Sequence, residues 1–118
     1  MCAARCYPMR RMNPSDAIVV LCSCADTDTA TRLAEQLVQS HLAACVNILP
    51  GITSVYHWQG QLQKEAEVLL MIKTLSPRFD ALKKALIELH PYEVPEIIAL
   101  PVTNASEPYL QWMGQSLT

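Results

Sequence analysis

Glycine is scarce, with three residues in 118. No glycine-rich phosphate cradle, dinucleotide fingerprint or GxSxG elbow is present. Membrane spanning by a helix needs roughly 18 consecutive apolar residues, and the longest run, near Ala17–Cys22, is far shorter. A basic excess is also lacking. Nine Lys and Arg stand against eleven Asp and Glu, a formal charge of −2, which speaks against a nucleic-acid partner. Aromatic residues make up 6%, too few for single-strand stacking platforms. Charged residues reach only 17% while hydrophobic residues reach 51%. Disorder needs the opposite balance, so the bulk of the chain folds. A chain of 118 residues makes one domain, and one this apolar is expected to hide part of its surface in an oligomer.

Five cysteines are present, at Cys2, Cys6, Cys22, Cys24 and Cys45, with no CxxC spacing among them. That removes the zinc-ribbon pattern. The count is odd, and residues 1–15 contain no apolar core of the kind a secretory signal carries. Both features favour free thiols in a reducing compartment, the cytoplasm. Residues 1–15 read as a disordered N-terminal extension. They hold Arg5, Arg10 and Arg11 and no acid, and Met9 and Met12 each offer a later start. Residues 16–118 read as the single folded domain.

Ala17–Cys22 is a branched apolar run, as in a strand buried on both faces. Asp26 or Thr27 then caps a helix whose stripe is Ala30, Leu33, Ala34, Leu37, Val38 and Leu42. Residues 44–74 read as one long antiparallel hairpin. Pro50-Gly51 interrupts its first strand as a bulge or kink, and Gln59-Gly60 makes its turn. Val68, Leu70 and Ile72 share one face of the returning strand; Glu67, Leu69, Met71 and Lys73 share the other. Ser76-Pro77 opens a second helix with Phe79, Leu82, Leu86 and Leu89 inward, ended by His90-Pro91. Glu96–Leu100 is a fourth strand, and Ser106-Glu107-Pro108 starts a short last helix. The order β-α-β-β-α-β-α predicts an α+β fold, the ferredoxin-like split βαβ sandwich, with both long helices on one face of an antiparallel sheet. Leu69 and Met71 on the bare face need a cover, and a second subunit is the simplest one.

Several segments together resemble the CutA family of divalent-cation tolerance proteins. They are Ala43–Ile48, Pro50–Ile52, Ser54–Tyr56 with Trp58–Gly60, Glu67–Thr74, His90–Glu96 running into Ile97–Pro101, and Tyr109–Trp112. The resemblance spans about Ala17 to Leu117. It implies a homotrimer of ferredoxin-like subunits, similar in architecture to PII-like signalling proteins. It further implies a non-catalytic role in tolerance to copper or another divalent metal ion. The charge balance and the short apolar runs leave neither nucleic acid nor membrane as an expected partner.

Cys22, at the end of the first strand, matches a family cysteine and is the leading metal candidate, since thiolate suits Cu(I). Cys24 leaves the same face, but an extended chain puts the two Cβ atoms roughly 6–7 Å apart. Two thiolates on one ion would then require the strand to curl. The alternative is that both pack as small hydrophobes. His90 matches the histidine before the family's Pro-Tyr and is the second candidate ligand. Some members carry two successive histidines there, whereas this chain has Leu89 in the first place. The alternative for His90 is bonding to the last carbonyls of its helix. Cys45 is expected to face the core. In the resemblance Tyr56, Trp58, Glu67, Lys73, Tyr92 and Glu96 gather at a cleft between subunits. Strand spacing keeps Glu67 and Lys73 apart, and Lys73 and Glu96 are expected to pair across strands. The six serve there either as trimer-stabilising bonds or as a small-molecule or anion site. Acylphosphatase shares the topology but needs an arginine in its phosphate loop. Here that segment, residues 22–27, has an acid and no arginine.

Overall fold

A computed structural model describes residues 16–118; the expected N-terminal extension, residues 1–15, lies outside them. The first strand, β1, runs Ala17–Cys24 and continues two residues beyond its apolar run. Its alternation buries Ile18, Val20, Cys22 and Cys24 on one face and turns Val19, Leu21 and Ser23 to the other. The first helix, α1, spans Thr27–Gln39, with the Asp26 side chain accepting from the Thr29 N–H at 2.7 Å. That bond satisfies one of the free donors at the helix start. Ser40 ends the helix, its hydroxyl donating to the Gln36 carbonyl at 2.7 Å.

The hairpin strands are β2, Cys45–Trp58, and β3, Gln61–Leu75. Gln59 and Gly60 both take positive φ, 52° and 79°, the geometry that matches the twist of a tight hairpin. The second helix, α2, spans Phe79–Leu89 after a single 3-10 turn at Ser76–Arg78. The last strand, β4, is Ile98–Pro101, and the last helix, α3, is Glu107–Ser116. The sheet order is β2-β3-β1-β4 with every pair antiparallel, the ferredoxin-like arrangement predicted. Leu33 and Leu37 of α1 and Leu82 and Leu86 of α2 pack on Val20, Cys22, Leu70 and Ile72. A smaller cluster joins Leu110, Met113 and Leu117 to Ala17 and Ala44.

The bulge forms where expected. The ladder shifts between Leu49, opposite Leu69, and Ile52, opposite Glu67, so Pro50 and Gly51 together face Val68. Gly51 sits at φ 85°, a conformation that only glycine adopts without strain. The extra residue sets the parity of the outer hairpin. It puts Ser54, Tyr56 and Trp58 on the helix-free face, beside Gln63, Glu65 and Glu67. β1 pairs with β3 only from Val68 to Leu75, so the outer hairpin projects and gives the subunit a long axis of 55 Å.

Two expectations are corrected. Glu96 does not lie in the fourth strand, which begins at Ile98. Pro91 and Pro95 lack the N–H a ladder needs and restrict the residue before each, so residues 91–97 form a connecting loop. Cys45 does not face the core. It stands opposite Lys73 on the helix-free face, while Val46, opposite Ile72, packs inward.

The bulge can be tested by removing its extra residue. Deleting Gly51 should leave the helical circular dichroism intact but turn Tyr56 and Trp58 to the opposite face. In a Trp112→Phe background the Trp58 emission should shift; an unchanged spectrum would refute the role given to the bulge.

Candidate metal centre and adjoining groove

Cys22 and Cys24 project from the end of β1 under the helices, both 0% exposed. His90 follows α2 and is 6% exposed. Its ring is held twice. Nδ1 lies 3.1 Å from the Tyr92 backbone N–H, which can only donate. Nδ1 is therefore the acceptor, and the proton of the neutral ring sits on Nε2, 2.8 Å from the Ser23 carbonyl. The predicted bonds to the last carbonyls of its own helix are replaced by a bond to β1, 67 positions away.

One donor atom each from Cys22, Cys24 and His90 lie within 4.8 Å of one another. β1 stays extended through both cysteines, so no curl is needed: the side chains lean together above the strand. Two thiolates on one zinc-sized ion stand at most about 4.6 Å apart, twice a metal–sulfur bond. The set therefore fits a soft ion with only small side-chain movement. Ligation by His90 exchanges one of its two hydrogen bonds, to Ser23 or from Tyr92. Cys24 completes the set, and the signal for it in the sequence was its i, i+2 placement on the face of Cys22.

The two sulfurs differ in acidity. The Cys22 thiol is pushed far up, first by its hydrogen bond to Cys24, then by burial and by the charges of Cys24, Glu96 and Glu67. Cys24 is lowered, chiefly by accepting that bond. The opposite shifts make Cys24 the first of the pair to ionise and Cys22 the last.

On the opposite side of the β1 end, Ser23 lines a groove of about 830 Å³ between the outer hairpin and the 91–97 loop. Of the six cleft residues predicted, Tyr56, Trp58, Glu67, Tyr92 and Glu96 line it. The Tyr92 hydroxyl donates to Glu67 Oε2 at 2.5 Å, Tyr56 to Glu65 Oε1 at 3.0 Å, and Ser23 to Glu96 Oε1 at 3.3 Å. Tyr92 is raised by burial first and then by the bond to Glu67 and the charges of Glu67 and Glu65. The Tyr56 hydroxyl is raised mainly by its bond to Glu65. Lys73 is absent from the lining and lies over the Tyr109 ring, 5.8 Å from its centroid. The expected Lys73–Glu96 pair does not form within the subunit. Lys73 is level with Val19 and Leu100, whereas Glu96 lies beyond Ile98, which is level with Leu21. Glu65 and Glu93 also line the groove. Alternation with Glu67 could have identified Glu65; nothing local marks Glu93.

The family model for the CutA1 divalent ion tolerance protein matches residues 18–116. A divalent-cation tolerance protein CutA from Thermus thermophilus is 45% identical over 98 residues, covering 83% of this chain and 95% of that one. The crystal structure of CutA from Xylella fastidiosa matches with a TM-score of 0.85 at 38% identity, over 88% of this chain and all (100%) of that one. The periplasmic divalent cation tolerance protein CutA from Archaeoglobus fulgidus matches with a TM-score of 0.84 at 28% identity, over 86% and 98% of the two chains.

The Tyr92–Glu67 bond is testable by denaturation. Tyr92→Phe keeps the ring but removes the donor from a carboxylate that is 6% exposed. It should cost about 1–3 kcal/mol of stability, and a second change, Glu67→Gln, should recover part of the loss. An unchanged urea midpoint would contradict the bond.

Proposed function

The chain belongs to the CutA1 family of divalent ion tolerance proteins, and from that membership we propose a non-catalytic, metal-binding homotrimer that serves divalent-cation tolerance. The ion is copper, as Cu(I), or another metal ion of similar softness, held by Cys22, Cys24 and His90. The observation that carries this is the buried set of two sulfurs and one imidazole within 4.8 Å. Thiolate and imidazole together favour soft and borderline ions over Mg²⁺ or Ca²⁺.

Protonation supplies a second support. The lowered Cys24 is the sulfur that ionises first, and Cys22 holds its proton until an ion displaces it. Loading therefore releases a proton, and affinity rises with pH. His90 enters as the neutral ring that its two hydrogen bonds already select.

Trimerisation is supported by the helix-free face, where Leu49 is 37% exposed, and by the β4 edge, where Ile98 is 50% exposed. The projecting hairpin is long enough to reach a neighbour. Among the described residues no helix is long and apolar enough to cross a membrane. The three described cysteines are free, which suits the cytoplasm; the Archaeoglobus relative is described as periplasmic. The groove favours a second reading, a PII-like signalling or scaffold trimer that takes a small metabolite or a protein partner at the cleft.

The test is anaerobic Cu(I) competition with a chromogenic chelator, with light scattering to follow assembly mass. One ion per chain is expected, with affinity rising as pH rises. Cys22→Ser or Cys24→Ser should each abolish tight binding while leaving the mass unchanged. Binding no stronger than that of a free thiol, equal in all variants, would refute the metal role.

A further inference from the structure

We propose that ions reach the metal centre by displacing the 91–97 loop, and that the Tyr92–Glu67 hydrogen bond is the latch that sets how fast they enter and leave. This rests on the reading of Cys22, Cys24 and His90 as the metal site, and adds the control of access to it.

All three donors are buried, so an ion cannot touch them in the closed structure. Association with further copies can only deepen that burial. Part of the fold must therefore move before the site loads. Over the strand, Leu33, Leu37, Leu82 and Leu86 pack with both cysteines in the main core. On one edge, β3 pairs with β1, placing Leu70 opposite Cys22 and Val68 opposite Cys24. Opening either wall breaks the core or a continuous ladder, at a cost near that of unfolding.

The other edge is built differently. β4 pairs with β1 only as far as Ile98, opposite Leu21. Beyond it Cys22–Cys24 have no strand on this side, and His90 with the 91–97 loop takes its place. The Ser23 carbonyl is met by His90 Nε2 rather than by a strand N–H. Among the described residues, 91–96 make no backbone–backbone hydrogen bond, and Pro91 and Pro95 have no N–H to offer. Three side-chain bonds hold this wall to the sheet. They are His90 to Ser23 at 2.8 Å, Tyr92 to Glu67 at 2.5 Å and Ser23 to Glu96 at 3.3 Å. The bond from the Tyr92 N–H to His90 Nδ1 lies inside the wall and moves with it. An element tied down by so few bonds is where a fold opens locally.

The Tyr92–Glu67 bond is the shortest of the three, and neither of its partners is a metal donor. Removing the hydroxyl alone keeps the Tyr92 ring beside His90, 4.6 Å between centroids. The latch therefore restrains the empty and the loaded chain alike. Weakening it speeds loading and release by the same factor and leaves affinity where it was.

The test labels the full chain in its native assembly, reduced and metal-free, with N-ethylmaleimide, read by peptide mass spectrometry. Cys22 and Cys24 should react about tenfold faster in Tyr92→Phe, the worth of one hydrogen bond to a carboxylate. Met113→Ala opens a cavity in the separate cluster under α3 and loses at least as much stability, yet should leave their labelling unchanged. Equal rates in the parent chain and Tyr92→Phe would overturn the latch. Equal acceleration by Met113→Ala would overturn it too, because access would then follow global unfolding. Transfer of Cu(I) to and from a chelator should quicken about tenfold in both directions in Tyr92→Phe, with the equilibrium unmoved. Faster labelling with unchanged transfer would overturn the loop as the route of the ion. A chain that labels as expected but takes up no Cu(I) would confirm the latch and overturn the metal reading, with the ion as its passenger.

Discussion

The two hydrogen bonds of His90 tie the functional end of the molecule together. One reaches the Ser23 carbonyl on β1, and the other receives the backbone N–H of Tyr92. Through them the end of α2 is fixed to the strand that carries both cysteines. The same bonds start the 91–97 loop on its course over the groove. The ring is 6% exposed, so both bonds are sheltered from water, and losing either would leave a buried polar group unpaired. They also choose the tautomer. The imidazole is thereby neutral and oriented before any ion arrives, the condition a metal ligand requires.

Alternation along β1 then divides the chemistry. Cys22 and Cys24 turn under the helices, into the apolar core. Ser23, between them, turns to the helix-free face and meets Glu96. A soft-donor cluster and an acidic, aromatic groove thus share one strand end, on opposite sides of the sheet. They are coupled electrostatically: Glu67 and Glu96, which line the groove, help hold the Cys22 proton in place.

Much of this was legible in the sequence. The cap at Asp26, the turn at Gln59-Gly60 and the bulge at Pro50-Gly51 are local signals, and each is found where it was read. The helical stripes hold at Leu33, Leu37, Leu82 and Leu86, but Val38 and Leu89 at their margins are 41% and 47% exposed and do not face the core. Cys22 and His90 were singled out and do converge with Cys24. Five of six cleft residues gather in one groove. What failed depended on register and on distant partners. The Lys73–Glu96 pairing required knowing which residues stand level across three strands. Cys45 and Val46 are both apolar, so alternation alone did not say which faces the core. The acceptor for His90 lies 67 positions back in the chain, beyond any local rule. The two sulfurs meet through side-chain lean, which backbone spacing does not report.

The most direct test of the metal centre is copper X-ray absorption on the chain loaded with one equivalent of Cu(I). Two sulfur neighbours and one nitrogen neighbour per copper are predicted, from Cys22, Cys24 and His90, with the nitrogen contribution lost in His90→Ala. A spectrum with only oxygen and nitrogen neighbours, and no sulfur, would contradict the account and move the metal to the glutamates of the groove.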